Sequence, residues 1–145
     1  MIDMKFKLKG IEAFKEGGYK KAIKFFNKFL EESDKDETVL NYLAESYIKE
    51  AELSEAIVIY FKLARIQKSK GNFIDSRNTL KLLTGYKKND PMVFSILGEV
   101  EAGLGNIPSS VENYIKSYNL YIEEGKTKSG LTVLQQAKEL QPDNV

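Results

Sequence analysis

The chain has 145 residues, a formal net charge of +1, and no cysteine, histidine or tryptophan. A chain of this length can bury enough apolar surface to form a hydrophobic core without disulfides. The missing cysteine and histidine exclude thiolate nucleophiles and remove the commonest general base and the commonest zinc ligands. We therefore expect no metal, no cofactor and no enzymatic activity.

No stretch of the sequence approaches the roughly 18 consecutive apolar residues that cross a bilayer. The N-terminal segment alternates charge from Asp3 to Lys7 and has no apolar core of the kind found in a signal peptide. These features predict a cytoplasmic protein without membrane insertion. With a pI near 7.8 and only two arginines, no nucleic-acid partner is expected.

Apolar residues recur at steps of three and four, as in Ala22, Phe26 and Phe29, which is the period of an α-helix. Glycines, prolines and polar runs interrupt this period at regular intervals. The sequence therefore predicts an all-α protein. In chain order, the predicted helices cover 3–16, 19–33, 37–51, 54–69, 73–88, 91–104, 108–124 and 127–141.

The sequence repeats itself when it is shifted by 54 residues. This shift places Phe6 on Tyr60 and Tyr114, and it also places Gly17 on Gly71 and Gly125. Large residues coincide with large ones and turns with turns, which indicates an internal repeat. We expect one domain over 1–145, with repeats at 3–56 and 57–110 and a partial repeat at 111–145, and we expect the chain to be a piece of a larger protein.

A shorter unit of 34 residues lies within each copy, with large apolar and small residues at fixed positions. In the first unit these positions are Phe6, Gly10, Gly17, Tyr19, Ala22, Phe26 and Leu30. This pattern resembles the tetratricopeptide repeat (TPR) family, whose unit is a helix–turn–helix. The resemblance covers nearly the whole chain and implies a right-handed α–α superhelix, a TPR-like solenoid of about eight antiparallel helices.

The turn positions depart from the even spacing of that family. They fall at 17, 51, 71, 105 and 125, so that the spacing alternates between 34 and 20 residues. This alternation favours a three-helix period, in which helices 54–69 and 108–124 each belong to two units. The alternative is a series of ordinary helix pairs in which the 54-residue similarity is accidental. The two arrangements differ in which helices line the concave face.

Small residues at the expected helix contacts allow neighbouring helices to approach closely. They are Gly10, Ala22, Ala44, Ala56, Ala64, Ser76 and Gly98. We expect all of them to be buried.

Two features that resemble ligand sites are better explained by helix ends. The glycines between Gly98 and Gly105 lack the Lys-Ser or Lys-Thr of a phosphate-binding loop, and Gly105 is expected to be a left-handed cap. The acidic run near Asp36 lacks the glycine and the spacing of a calcium loop. Asp36 is expected to cap the third helix.

The TPR resemblance implies a protein-interaction scaffold that holds a peptide or protein segment on the concave surface of its first helices. The predicted partner-binding residues are Lys7, Ile11, Phe14, Lys15, Asn41, Glu45, Ile48, Lys49, Ser95 and Glu99. A TPR subgroup clamps a terminal carboxylate with a Lys and an Asn, but here Ile11 stands at the Asn position. The carboxylate clamp is therefore not expected.

Self-assembly is the alternative function. The last predicted helix carries the apolar residues Leu131, Val133, Leu134, Ala137 and Leu140, and the segment after it, from Pro142, resembles a linker to another helix. Without that helix one apolar face of 127–141 would stay uncapped. A homo-oligomer formed through uncapped terminal helices would cover this face.

Overall fold

The computed structural model describes residues 3–141 and confirms the all-α prediction. Eight helices and no strand occur in this range. The helices are α1 (Lys5–Lys15), α2 (Tyr19–Leu30), α3 (Glu37–Lys49), α4 (Leu53–Ser69), α5 (Phe73–Tyr86), α6 (Pro91–Gly103), α7 (Ile107–Glu123) and α8 (Thr127–Leu140). Each predicted segment matches one of them to within three residues at either end, and the predicted linker from Pro142 onward lies outside the described residues.

The helix boundaries follow from local chemistry at the turns. Gly17, Gly71, Gly105 and Gly125 all have positive φ, between 75° and 80°, as expected for left-handed residues after a helix. The prediction for Gly105 is thereby confirmed. At the matching turn after α3, Ala51 adopts the same conformation with φ 59°.

Two helices begin with a carboxylate cap, and α2 ends three residues earlier than predicted. Asp36 Oδ1 accepts from the Val39 N–H at 3.0 Å, which confirms it as the cap of α3. Asp90 caps α6 in the same way through the Met92 N–H at 2.8 Å. The second helix stops at Leu30 instead of residue 33, because acidic side chains are unfavourable at the negative end of a helix.

The chain divides into two compact units, Met1–Ile66 and Gln67–Val145, with the boundary inside α4. In the first unit α1 packs against α2, and α2 packs against α3. Phe26, Val39 and Leu43 are fully buried at the centre of this core, and Ile59 of α4 packs against it.

In the second unit α6 packs between α5 and α7, and α8 packs against α7. Val111, Tyr114, Val133 and Ala137 form the buried core between α7 and α8. The α6–α7 contact includes a buried hydrogen bond from the Ser110 hydroxyl to the Gly98 carbonyl oxygen, at 2.6 Å.

The small residues are buried where the helices touch, as predicted. Ala22, Ala44, Ala56, Ala64 and Ser76 have no exposed surface, and Gly10 and Gly98 are buried as well. The two glycines face aromatic rings. A Cβ at Gly10 would lie 2.4 Å from the Phe26 ring, and one at Gly98 would lie 2.6 Å from the Tyr114 ring. Side chains at these positions would push the helices apart.

Candidate partner-binding surface

An aromatic contact joins α1 and α3 in the first unit. The Phe14 ring meets the Tyr42 ring edge-on, with centroids 4.9 Å apart, and it also contacts Tyr19 at 5.3 Å. Tyr42 in turn stacks on the buried Phe26 ring at 5.8 Å. The half-buried Phe14 and Tyr42 are therefore fixed from below by the core while part of each ring remains accessible.

Polar side chains of α3 lie beside these rings. Asn41 and Glu45 are exposed and, together with Thr38 and Tyr42, line a shallow cavity. Their spacing of three and four residues places them on one side of α3. This arrangement offers an amide and a carboxylate next to an aromatic ring.

On α1, Ile11 and Lys15 line a second cavity with Leu8, Glu12 and Glu16. Ile11 is half-buried and Lys15 is exposed, whereas Leu8 is 62% exposed. We call the surface made by Ile11, Phe14, Lys15, Asn41, Tyr42 and Glu45 the α1–α3 face. It unites five of the sequence-predicted residues with Tyr42, which the prediction missed.

Lys7 has an intramolecular role. Its ammonium group donates to Asp36 Oδ2 at 2.9 Å and lies 5.9 Å from the centre of the Phe29 ring. Burial raises the pKa of Asp36, but the Val39 N–H and the Lys7 side chain outweigh burial, so that the pKa stays below its usual value of 3.8. Lys7 thus links α1 to the cap of α3.

The other predicted residues of α3 lie near its end, where Ile48 is half-buried and Lys49 is exposed. In the second unit, Ser95 and Glu99 of α6 are both half-buried. The Glu99 carboxylate forms an ion pair with the Lys68 ammonium group. The role of Glu99 in partner binding, which the TPR resemblance implies, stays a prediction.

A second ion pair of α6 is more buried. The Glu101 side chain is only 7% exposed and accepts from Arg77 at 3.2 Å and from the Asn106 amide at 2.9 Å. Burial raises the pKa of Glu101, but the hydrogen bonds from Asn106 and Arg77 and the charge of Arg77 hold it below the usual 4.5. The Arg77 Nε is itself buried without a hydrogen-bond partner.

The described residues contain neither a bilayer-spanning helix nor a cluster of metal-ligand side chains. Between residues 3 and 141 no helix has both the length and the apolar character needed to cross a membrane. The same range holds no group of three or more acidic side chains placed to bind a metal ion.

The structure therefore defines a class: an all-α protein of short helical hairpins that meet through small residues. No protein-family model matches the sequence, and no curated protein does. Several solved structures resemble it. MamA from Desulfovibrio magneticus RS-1 is 11% identical over 99% of both chains, with a TM-score of 0.41.

Two TPR proteins are also similar in structure. TTC0263, a thermophilic TPR protein of Thermus thermophilus, is 18% identical over 93% of this chain and 89% of its own, with a TM-score of 0.35. The yeast Sti1 TPR2AB domain in complex with pHSP90 is 24% identical over 93% of this chain and 45% of its own, with a TM-score of 0.41.

Proposed function

We propose that the protein is a protein-interaction scaffold that binds a peptide or protein segment on its α1–α3 face. The observation that carries this proposal is the Phe14–Tyr42 contact, which holds two partly accessible rings between α1 and α3. Rigid aromatic groups bind a partner with little loss of conformational entropy. Asn41 and Glu45 next to them supply hydrogen-bonding groups that select the partner's polar atoms.

The test is quantitative affinity capture from the source cells with a matched pair of variants. Asn41→Arg with Glu45→Lys changes an amide and a carboxylate, four residues apart, on the α1–α3 face. Gln135→Arg with Glu139→Lys makes the same change on exposed positions of α8. We expect the first variant to lose a captured protein that the second retains. Equal capture by both variants would count against this face.

The three-helix period is part of the same proposal. Left-handed residues recur 54 positions apart at Gly17, Gly71 and Gly125, and again at Ala51 and Gly105. This recurrence supports a repeat that contains both turns. On this basis we assign 1–145 to one repeat domain, which predicts a single unfolding transition in urea. Two separate transitions would contradict this assignment.

Self-assembly is the second candidate, favoured by apolar surface at the last two helices. Leu131 is 54% exposed on α8, and Ile122 is 40% exposed near the end of α7. Exposed apolar residues of this kind can mark an interface between copies. Light scattering over a range of concentrations tests it: an oligomer that Leu131→Glu dissociates would support it, and a monomer throughout would exclude it.

A further inference from the structure

The outer side of α1 and α2 carries an aromatic pair surrounded by lysines. The Phe6 and Phe25 rings stack with centroids 6.1 Å apart and are both half-buried. Lys9 and Lys21 lie 5.7 and 6.0 Å from the centre of the Phe25 ring, and Lys28 lies 5.3 Å from the centre of the Phe6 ring. We call these five residues the lysine–aromatic patch.

The charges of this patch are available to a partner. All three lysines are exposed, and none of them forms an ion pair within residues 3–141. The α2 helix contains four lysines and no acidic residue. Glu12 of α1 and Glu16, which follows α1, line a cavity together with Lys9 and Lys21.

In the second unit a helix covers the two α7 positions that match Phe6 and Lys9. A shift of 108 residues, two repeats, places Phe6 and Lys9 on Tyr114 and Ser117 of α7. Tyr114 packs on Gly98 of α6, and the Ser117 hydroxyl donates to the Pro91 carbonyl oxygen of α6 at 2.6 Å. Both residues are buried. At the same positions α1 has an accessible ring and a solvated lysine.

We propose that the lysine–aromatic patch binds an acidic helix of a partner protein, in the position that α6 takes on α7. The partner is helical because α6 covers the two positions of α7 that match Phe6 and Lys9 of α1. It is acidic because Lys9, Lys21 and Lys28 stand unpaired around the two rings. Carboxylates of the partner reach the three ammonium groups, and its apolar side chains lie on Phe6 and Phe25. This surface is distinct from the α1–α3 face.

The experiment is fluorescence anisotropy with a labelled, designed peptide as the probe. The peptide repeats Glu and Leu at helical spacing, and a scrambled peptide of equal composition and charge serves as its control. The patch variant is Lys9→Glu, Lys21→Glu and Lys28→Glu. The matched control variant reverses Lys62, Lys81 and Lys88, which are exposed outside the patch.

We expect the helical peptide to bind and the scrambled peptide to bind more weakly. The patch variant should lose about tenfold or more in affinity, because three attractive contacts become repulsive. The control variant and the Asn41→Arg, Glu45→Lys variant should stay within about threefold of the original protein. Phe25→Ala, which leaves every lysine in place, should weaken binding by about fivefold.

Four outcomes of the binding measurements would overturn the proposal. They are no measurable binding of the helical peptide, equal binding of the scrambled peptide, equal losses in the patch and control variants, and binding to phosphatidylserine vesicles in place of the peptide. A dimer that only the patch variant dissociates would instead identify a second copy as the occupant and would also overturn it. The Asn41→Arg, Glu45→Lys variant is measured in parallel. A failure of the lysine–aromatic patch to bind can therefore be distinguished from a failure of the α1–α3 face to bind its partner.

Discussion

The faces of α1 and α7 that hold Lys9 and Ser117 occupy the same position in the 54-residue register but have opposite surroundings. Ser117 is fully buried and bonded to α6, whereas Lys9 is exposed beside Phe25. Lys9 is solvated, whereas the uncharged residues at the two other copies of this position, Leu63 and Ser117, are buried. The comparison shows that the charge of the side chain at this position follows its exposure.

Placing each of these two residues at the other position should give the largest difference in stability between two variants. Ser117→Lys places an ammonium group against α6 and should lower the free energy of unfolding by about 3 kcal/mol or more. Lys9→Ser removes an exposed charge and should change it by less than about 0.5 kcal/mol. Urea denaturation followed by circular dichroism measures both. Similar effects of the two changes would show that the two faces are not different environments.

Breaking the buried ion pair of α6 should have the next largest effect on stability. Glu101→Ala leaves the Arg77 guanidinium without its carboxylate and should cost about 1–3 kcal/mol. Glu99→Ala removes the more exposed pair with Lys68 and should cost less than about 1 kcal/mol. Urea unfolding curves of the two variants measure these costs. A larger loss of unfolding free energy for Glu99→Ala than for Glu101→Ala would contradict this prediction.

Glycine at a helix contact should differ from glycine on an open helix surface. A Cβ at Gly98 would lie 2.6 Å from the Tyr114 ring, so Gly98→Ala should cost about 1–3 kcal/mol. A Cβ at Gly85 would meet nothing within 4 Å, so Gly85→Ala should stabilise α5 by about 0.5–1 kcal/mol. Thermal melts of both variants provide the measurement. If both variants shifted the melting temperature in the same direction, the result would contradict the close α6–α7 contact.

Acid should destabilise both units through their capped or paired carboxylates. The pKa values of Asp36 and Glu101 are lower in the folded protein than their usual 3.8 and 4.5. The unfolded chain therefore binds more protons, and the stabilisation is present above those usual values and is lost as pH falls through the lowered ones. We expect Glu101→Gln to flatten this decline in the free energy of unfolding. An unchanged slope would mean that Glu101 does not contribute to it.

The smallest effect is expected at the turns after α3 and α6. Ala51 and Gly105 both have positive φ, but only glycine adopts this conformation without steric cost. Ala51→Gly should therefore stabilise the protein by about 0.5 kcal/mol, and Gly105→Ala should destabilise it by about 1 kcal/mol. Thermal melts compare the two. An increase in melting temperature on Gly105→Ala would argue against the left-handed turn.

The local features of the fold could be read from the sequence, because each depends on a few neighbouring residues. The helices follow from the spacing of apolar residues, the turns from Gly17 and its equivalents, and the α3 cap from Asp36. The burial of Ala22 and Ala44 follows from the repeat, since small residues recur wherever two helices meet.

The pairing of charged side chains could not be read in this way. Lys7 and Asp36 are 29 residues apart, Glu99 and Lys68 are 31 apart, and each contact exists only after the helices have packed. The TPR resemblance predicts that Lys7 and Glu99 contact a partner, and each also forms an ion pair within the chain. Tyr42 is not among the residues that the TPR resemblance predicts, and only packing shows that its ring contacts Phe14.

The central claim is that the α1–α3 face holds another protein, and photo-crosslinking in cells tests it most directly. A photoreactive amino acid is placed at Asn41 or, as a control, at Gln135 of α8. Both positions are exposed. The account predicts a crosslinked product with a second protein at position 41 and none at position 135. Crosslinking at 135 alone, or equally at both positions, would contradict it.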